Sequence, residues 1–286
     1  MKIEPRMIQW FDDHWYKIEV LEEEPQYLPS VTTILGVSPK PFLARWRGDI
    51  GNREADNRLW EASEKGTRIH VACYTYCDDG VVIYNPFGYP NFSDEQILEF
   101  KRQHNEKVII LHNQDEMWQI WKFQKFLEVA GPVVCEKEMI VYSIEKEFAG
   151  TLDYVMGFIE GDYQISGKKP LSLETGKYVV DLKSGNVIDE AYHYQTAAYQ
   201  YAYEKMTGEK AKGRLIVHTN AKTKTGIEGL NVIYRGNDTY EEDLDTFWHL
   251  QAIWRRTSAR HPKIFEFPTL LRKELPDGED DYPEKD

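Results

Sequence analysis

Cysteine is scarce in this chain: three in 286 residues, Cys73, Cys77 and Cys135. That number rules out the disulfide framework that staples small secreted domains. Long apolar runs are missing as well. Nothing approaches the ~20 residues of a membrane span, and Met1-Lys2-Ile3-Glu4-Pro5-Arg6 lacks the apolar stretch of a signal peptide. A cytoplasmic protein with no membrane partner is expected. Positive charge is in deficit, with 35 Lys and Arg against 48 Asp and Glu, a net charge of −13. Residues 274–286 carry seven acids and one base, net −6, which leaves −7 for residues 1–273. An acidic body weighs against tight duplex binding. There is no internal repeat. Gly176-Lys177 lacks the first glycine of a P-loop and precedes a strand rather than a helix, so no ATPase loop is read there.

Aromatic residues, in contrast, are abundant: 8 Trp, 18 Tyr and 12 Phe, within a hydrophobic content of 41%. Such a chain is ordered and can bury a sizeable core, as one large domain or two small ones. Alternating residues predict a hairpin over 7–20, turning at Asp12-Asp13. Ser30 is the expected N-cap of a short helix over 31–35. Helices follow over 42–50 and about 53–76, the latter interrupted near Gly66. Residues 77–92 read as loop, with Gly80, Pro86, Gly88 and Pro90. Ser93 caps a helix to about Lys107, and helical spacing recurs over 116–129. Strands are expected over 133–142, 147–158 and 178–183, with 161–177 a loop or hairpin tip. A helix over 191–206, strands over 213–219 and 229–234, and a helix opened by a capping box at 239–242 and ending near Ser258 complete the order. This succession suits an α/β sandwich with a mixed central sheet flanked by helices.

The densest chemistry lies between residues 138 and 183. Glu138 is followed by Ala149-Gly150-Thr151-Leu152-Asp153 and then by Val179-Val180-Asp181-Leu182-Lys183. Strand side chains alternate with period 2, so Asp181 and Lys183 share one face while Leu182 points into a core. A carboxylate and a lysine side by side, with a second carboxylate nearby, suit a divalent metal and a water, the requirements of phosphodiester hydrolysis. Downstream, Gln195 and Tyr199 stand one turn apart on an alanine-rich helix. Upstream, Glu64-Lys65-Gly66-Thr67-Arg68-Ile69-His70 lies in a helix.

These five pieces, in this order, resemble the PD-(D/E)XK nuclease superfamily in its RecB-like exonuclease branch: a helix His, a strand Glu, a Gly-x-x-Asp, an (Asp/Glu)-x-Lys and a Gln-x-x-x-Tyr helix. The resemblance spans roughly residues 28 to 220. The opening Leu28-Pro29-Ser30-Val31-Thr32-Thr33-Ile34-Leu35 also looks like the start of phage-type members and of the related mitochondrial single-strand DNA exonuclease. The resemblance implies a restriction-endonuclease-like core in a single nuclease domain over 1–272. A helical cover would take about 28–130, the catalytic core about 131–235, and a C-terminal helix about 239–258. Residues 273–286 would form an acidic, disordered tail.

It also implies roles. Asp153 and Asp181 would hold Mg²⁺ or Mn²⁺, since hard cations prefer carboxylate oxygen, with His70 and the backbone oxygen of Leu182 as further metal ligands. Lys183 would deprotonate the attacking water or stabilise charge on the phosphorane. Glu138 would be the strand acid, with Glu136 on the same face as its alternative. Gln195 and Tyr199 would contact phosphate or orient Lys183, and Arg68 and Thr151 would join them in binding DNA. Some RecB-like nucleases hold a [4Fe-4S] cluster on four cysteines, but no cysteine follows Cys135, so no cluster is expected. Trp46, Trp60 and Tyr74, interleaved with Arg45, Arg47, Arg53, Arg58, Lys65 and Arg68, would either stack the bases of a single strand or simply make an amphipathic helix pair. The expected activity is a metal-dependent deoxyribonuclease acting on single strands or DNA ends, with a phage recombination or replication protein as a partner and, for a phage-encoded chain, the host cytoplasm as its place. A structure-specific or nicking endonuclease is one alternative. A non-catalytic nucleic-acid-binding or anti-defence protein that keeps the fold is another.

Overall fold

The computed structural model describes residues 5–10, 13–19, 24–167 and 169–257. Of the expected turn at Asp12-Asp13, Asp12 lies outside the described residues, as do Ser258 and the acidic tail, while Asp13 begins a strand. The chain opens with a three-stranded antiparallel sheet of β1 (Arg6–Trp10), β2 (Asp13–Ile18) and β3 (Gln26–Pro29). Ser30 then caps α1 (Val31–Leu35), its Oγ accepting the Thr33 amide at 2.9 Å. In α2 (Pro41–Ile50) the proline sits at the first position, where no amide is needed.

The break expected near Gly66 is absent, because α3 (Asn52–Cys77) is one continuous helix of 26 residues. A lone glycine costs a helix only about 1 kcal/mol. A side chain would be tolerated there, since a Cβ at Gly66 would stand 3.4 Å from Ser184 Oγ, an ordinary contact. The loop expected over 77–92 contains β4 (Val81–Tyr84), which pairs in parallel with β5 (Val108–Leu111). Between them α4 (Asp94–Gln103) starts at the Ser93 capping box and stops short of Lys107. Asn105 and Glu106 take positive φ of 50° and 63° and turn the chain into β5.

After α5 (Gln114–Ala130) come β6 (Val133–Ser143) and β7 (Phe148–Phe158), then a small hairpin of β8 (Gly161–Tyr163) and β9 (Leu171–Leu173). β10 (Gly176–Lys183), α6 (Ala191–Thr207), β11 (Ala211–His218), β12 (Asn231–Gly236) and α7 (Tyr240–Thr257) follow. Thr239 uses its hydroxyl to donate to Gly236 O and to accept from Arg214 Nη2, both at 3.1 Å.

The central sheet runs β12-β11-β10-β7-β6. α6 carries the crossover from β10 to its parallel neighbour β11, and the other three pairs are antiparallel, so the fold is α/β around a mixed five-stranded sheet. The described residues form seven helices, none long and apolar enough to cross a membrane. One sheet face packs Tyr154, Tyr178 and Leu182 against Ile69 of α3 and Phe123 and Phe126 of α5. The other packs Phe148, Leu152 and Val179 against Ala198 and Tyr199 of α6, Phe247 and Trp254 of α7, and Trp15 of the opening hairpin. Each such side chain, fully buried, contributes about 1.5–3 kcal/mol. Arg214 of β11, 1% exposed, ties the sheet to α7 through Asp243 at 2.9 Å.

Gly150 sets how closely α6 approaches the sheet. A Cβ there would stand 2.4 Å from the Tyr199 ring, a distance only displacement of the ring or strand can relieve. Gly150→Ala should therefore cost about 1–3 kcal/mol, measured as a fall in urea midpoint. An unchanged midpoint would show that this approach is not tight.

Candidate active site

The sheet opens where its acids sit. The β7–β10 ladder ends at Val180↔Tyr154, one step before Asp181 and Asp153 would face each other. Two further irregularities coincide there. Leu152 packs on the α6 face while Tyr154, two residues on, packs on the α3–α5 face, so β7 turns over at Asp153. Glu138, in β6 between the partners of Tyr154 and Leu152, has a φ of +47°. A left-handed non-glycine residue costs about 1–2 kcal/mol, and such strain collects at functional sites. Leu182 N–H, left without a β7 partner, donates to Asp153 Oδ2 at 2.7 Å. Strand geometry turns the Leu182 carbonyl to the same side, toward the gap.

The other oxygen of Asp153 is held by α3. The Tyr74 hydroxyl donates to Oδ1 at 3.0 Å. His70, one helical turn earlier, has Nδ1 3.4 Å from the same oxygen. Burial would raise the Asp153 carboxyl, but His70, Lys183 and the Leu182 amide outweigh it and hold the group below the usual carboxylate range. Reciprocally, burial favours neutral His70, yet the charge of Asp153 lifts its pKa above the ordinary histidine value.

Asp181 is in the opposite situation. It is 1% exposed, and Lys183 Nζ lies 2.8 Å from its Oδ2. The approach is off the line a hydrogen bond needs, so this buried oxygen has an ionic neighbour but no hydrogen-bond donor. Burial pushes the carboxyl up to about 6; Lys183 opposes the rise and Asp153 adds to it. Lys183, whose side chain is 18% exposed, keeps its proton. Burial would discharge it, but Asp181 and Asp153 raise its pKa above the ordinary lysine value. Its Nζ also sits 4.5 Å over the Tyr192 ring.

The remaining expected residues fall in two groups. Gln195 Nε2 donates to the Tyr199 hydroxyl at 3.1 Å; both side chains are buried, with Tyr199 against Gly150. Thr151 pairs its hydroxyl with that of Tyr16 at 2.8 Å. These groups brace the wall behind Asp181. Glu138 is exposed, as is Glu136, and its charge reaches the Tyr74 phenol. Arg68 donates twice to the buried carboxylate of Glu116, at 3.1 and 2.7 Å, which docks α3 on α5. Among the other N-terminal cations, Arg47 pairs with Asp56, Arg58 with Glu54 and Lys65 with Asp115. Tyr74 is buried under the site and unable to stack a base, whereas Trp60 is 66% exposed. Two residues at the site had no assigned role there: Tyr74, four residues after His70, and Tyr192, which precedes Gln195 and Tyr199 at helical spacing. Both intervals put the pairs on one helix face.

Among the described residues no group of three or more His, Cys, Asp or Glu stands at metal-holding spacing. By donor type alone, the oxygens at the gap that a hard cation would take are those of Asp181, Asp153 and the Leu182 carbonyl, with His70 beside them.

The raised Asp181 pKa has a direct consequence for stability. Unfolded, the carboxyl ionises near 4; folded, near 6. Between those values the folded state binds the extra proton, so this group's contribution falls as pH rises and is lowest above about pH 6. In chelator, Asp181→Asn should raise stability at pH 7–8 by about 1–3 kcal/mol, with the gain vanishing below pH 4. Thermal melts across that pH range check it, and a variant less stable than wild type at pH 8 would contradict it.

The chain matches no family model and no curated protein, so what it does has to be read from these carboxylates, the lysine and the surfaces around them.

Proposed function

We propose that the chain is a metal-dependent deoxyribonuclease of the PD-(D/E)XK type, on a restriction-endonuclease-like core, hydrolysing DNA phosphodiester bonds. The observation that carries this reading is the pair Asp153 and Asp181 at the gap between β7 and β10, the latter buried, its Oδ2 2.8 Å from Lys183 Nζ but without an aligned hydrogen bond. Two close carboxylates with too little compensating charge suit a cation. Asp153, Asp181 and the Leu182 carbonyl would hold Mg²⁺ or Mn²⁺, with His70 adjoining. Such an ion supplies charge neutralisation at a phosphate and a more acidic water.

The chain's own residues divide the remaining work. Lys183, kept protonated by the two acids, stabilises negative charge developing on the phosphate rather than acting as the base. His70, Tyr74 and the Leu182 amide fix the Asp153 carboxylate. Tyr192 confines the Lys183 head group from the α6 side. Exonuclease action on single strands or DNA ends, in phage-type recombination or replication in the cytoplasm, follows from the same reading.

A second reading is a nucleic-acid-binding or anti-defence protein that keeps the fold without cutting. It is favoured by the pairing of four N-terminal cations, Arg47, Arg58, Lys65 and Arg68, with carboxylates, which leaves fewer charges to draw on DNA phosphate.

A time course on 5′- and 3′-end-labelled single- and double-stranded DNA with Mg²⁺, Mn²⁺ or chelator separates these readings. Wild type should release label only with metal, as mononucleotides for exonuclease action and as fragments for endonuclease or nicking action. Asp181→Ala should abolish release, and Lys183→Ala should slow it about 10²- to 10³-fold. No release under any metal would move the assignment to the binding protein.

A further inference from the structure

A groove away from the carboxylates combines open aromatic rings with positive charge. A groove of about 980 Å³ lies between α5 and the loop at 219–229. A second hollow of about 440 Å³ adjoins it, sharing Trp118 and Trp121. These tryptophans are 49% and 37% exposed and pack edge to face, with ring centroids 5.3 Å apart. A soluble protein rarely leaves two neighbouring indoles in water without a partner for them. Lys125 lies over the Trp121 ring and pairs with Glu128, while Lys122, Lys222 and Lys224 line the same groove. Lys222 and Lys224 are exposed, and neither joins an ion pair among the described residues. Asp115 and Glu228 are the acids of the lining, and Asp115 is already paired with Lys65. On a chain of net charge −13, Lys122, Lys222 and Lys224 beside two open indoles, with Lys125 paired to Glu128, make a local reversal of sign.

The loop that carries the free lysines is built rather than slack. Ala221 N–H donates to Gly229 O at 3.0 Å, Gly229 N–H to Thr223 O at 3.0 Å and Ile227 N–H to Ile165 O at 2.9 Å. The Thr223 hydroxyl donates to Leu230 O at 2.8 Å. The groove also connects to the strand that bears the active lysine. Lys122 Nζ donates to Thr219 O at 3.0 Å, and Thr219 N–H donates to Lys183 O at 3.0 Å.

We propose that this groove is a binding path for single-stranded nucleic acid, with bases stacking on Trp118 and Trp121 and phosphates meeting Lys122, Lys125, Lys222 and Lys224. The chemistry favours a single strand, because only unstacked bases offer their faces to an indole, while the lysines match a phosphate backbone in charge. The path goes beyond the nuclease reading and does not need catalysis.

The test is binding of a fluorescein-labelled oligothymidylate of about 20 nucleotides to the full chain in chelator, followed by anisotropy against salt. Chelator suppresses cleavage, so failure of the nuclease reading leaves this result interpretable. Lys222→Glu combined with Lys224→Glu should weaken binding at least tenfold and lower the slope of log affinity against log salt by about two. Trp121→Ala should weaken it about five- to tenfold with the slope unchanged, and Trp118→Ala serves if melting shows the first variant unfolded. Wild-type affinity in the folded variants, or no wild-type binding at low salt, would overturn the proposal. Equal affinity for a blunt duplex would overturn its assignment to a single strand and show that the lysines read phosphate alone.

Discussion

Two carboxylates held at a gap in a sheet, one of them buried with an oxygen that its lysine neighbour meets only off-axis, are the constraint on which the site depends. Asp153 is heavily supported, with Tyr74 on one oxygen, the Leu182 amide on the other and His70 beside it. Asp181 has Lys183 alone, poorly aligned. Burying a charged group so incompletely satisfied is expensive, and the cost shows as a carboxyl pushed up to about 6. The surrounding structure maintains the arrangement. The β7–β10 ladder stops short, β7 turns over at Asp153, and Glu138 is held in the left-handed region across from it. The Tyr199 ring on Gly150 fixes α6 behind the gap, and continuous α3 brings His70 and Tyr74 over it.

Much of this was legible in the sequence because period 2 governs a strand. Asp181 and Lys183 fall on one face, with Leu182 fully buried on the other, as alternation requires. The helix starts at Ser30 and Ser93 were legible from their hydroxyls. What escaped was tertiary. β4 and β5 have four residues each, too short to show a period, and each owes its strand form to the other. Gly66 reads as a breaker, but one glycine is too weak to interrupt a helix whose Ile69, Ala72 and Cys73 are packed in the core. Tyr74 and Tyr192 carried a usable signal in their helical spacing to His70 and Gln195, but nothing in that spacing says which acid or lysine lies opposite.

Charge was the hardest property to place. The basic residues of the N-terminal helices look like a phosphate-binding stripe in one dimension. In space, Arg47, Arg58, Lys65 and Arg68 each have a carboxylate partner, and that of Arg68 is the buried Glu116. Lys222 and Lys224 sit in a polar loop with no periodicity, and only the fold sets them beside the α5 tryptophans. An acidic net charge is therefore compatible with a cationic groove.

The central claim is that Asp181 is left under-satisfied because a divalent cation completes it. Titration of Mn²⁺ into the metal-free chain, followed by the loss of the free-ion electron paramagnetic resonance signal, tests this most directly. The account predicts saturable binding by wild type that is lost in Asp181→Asn and kept when exposed Glu99 of α4 is replaced by Gln. Binding unaltered by Asp181→Asn, or none by wild type, would contradict it.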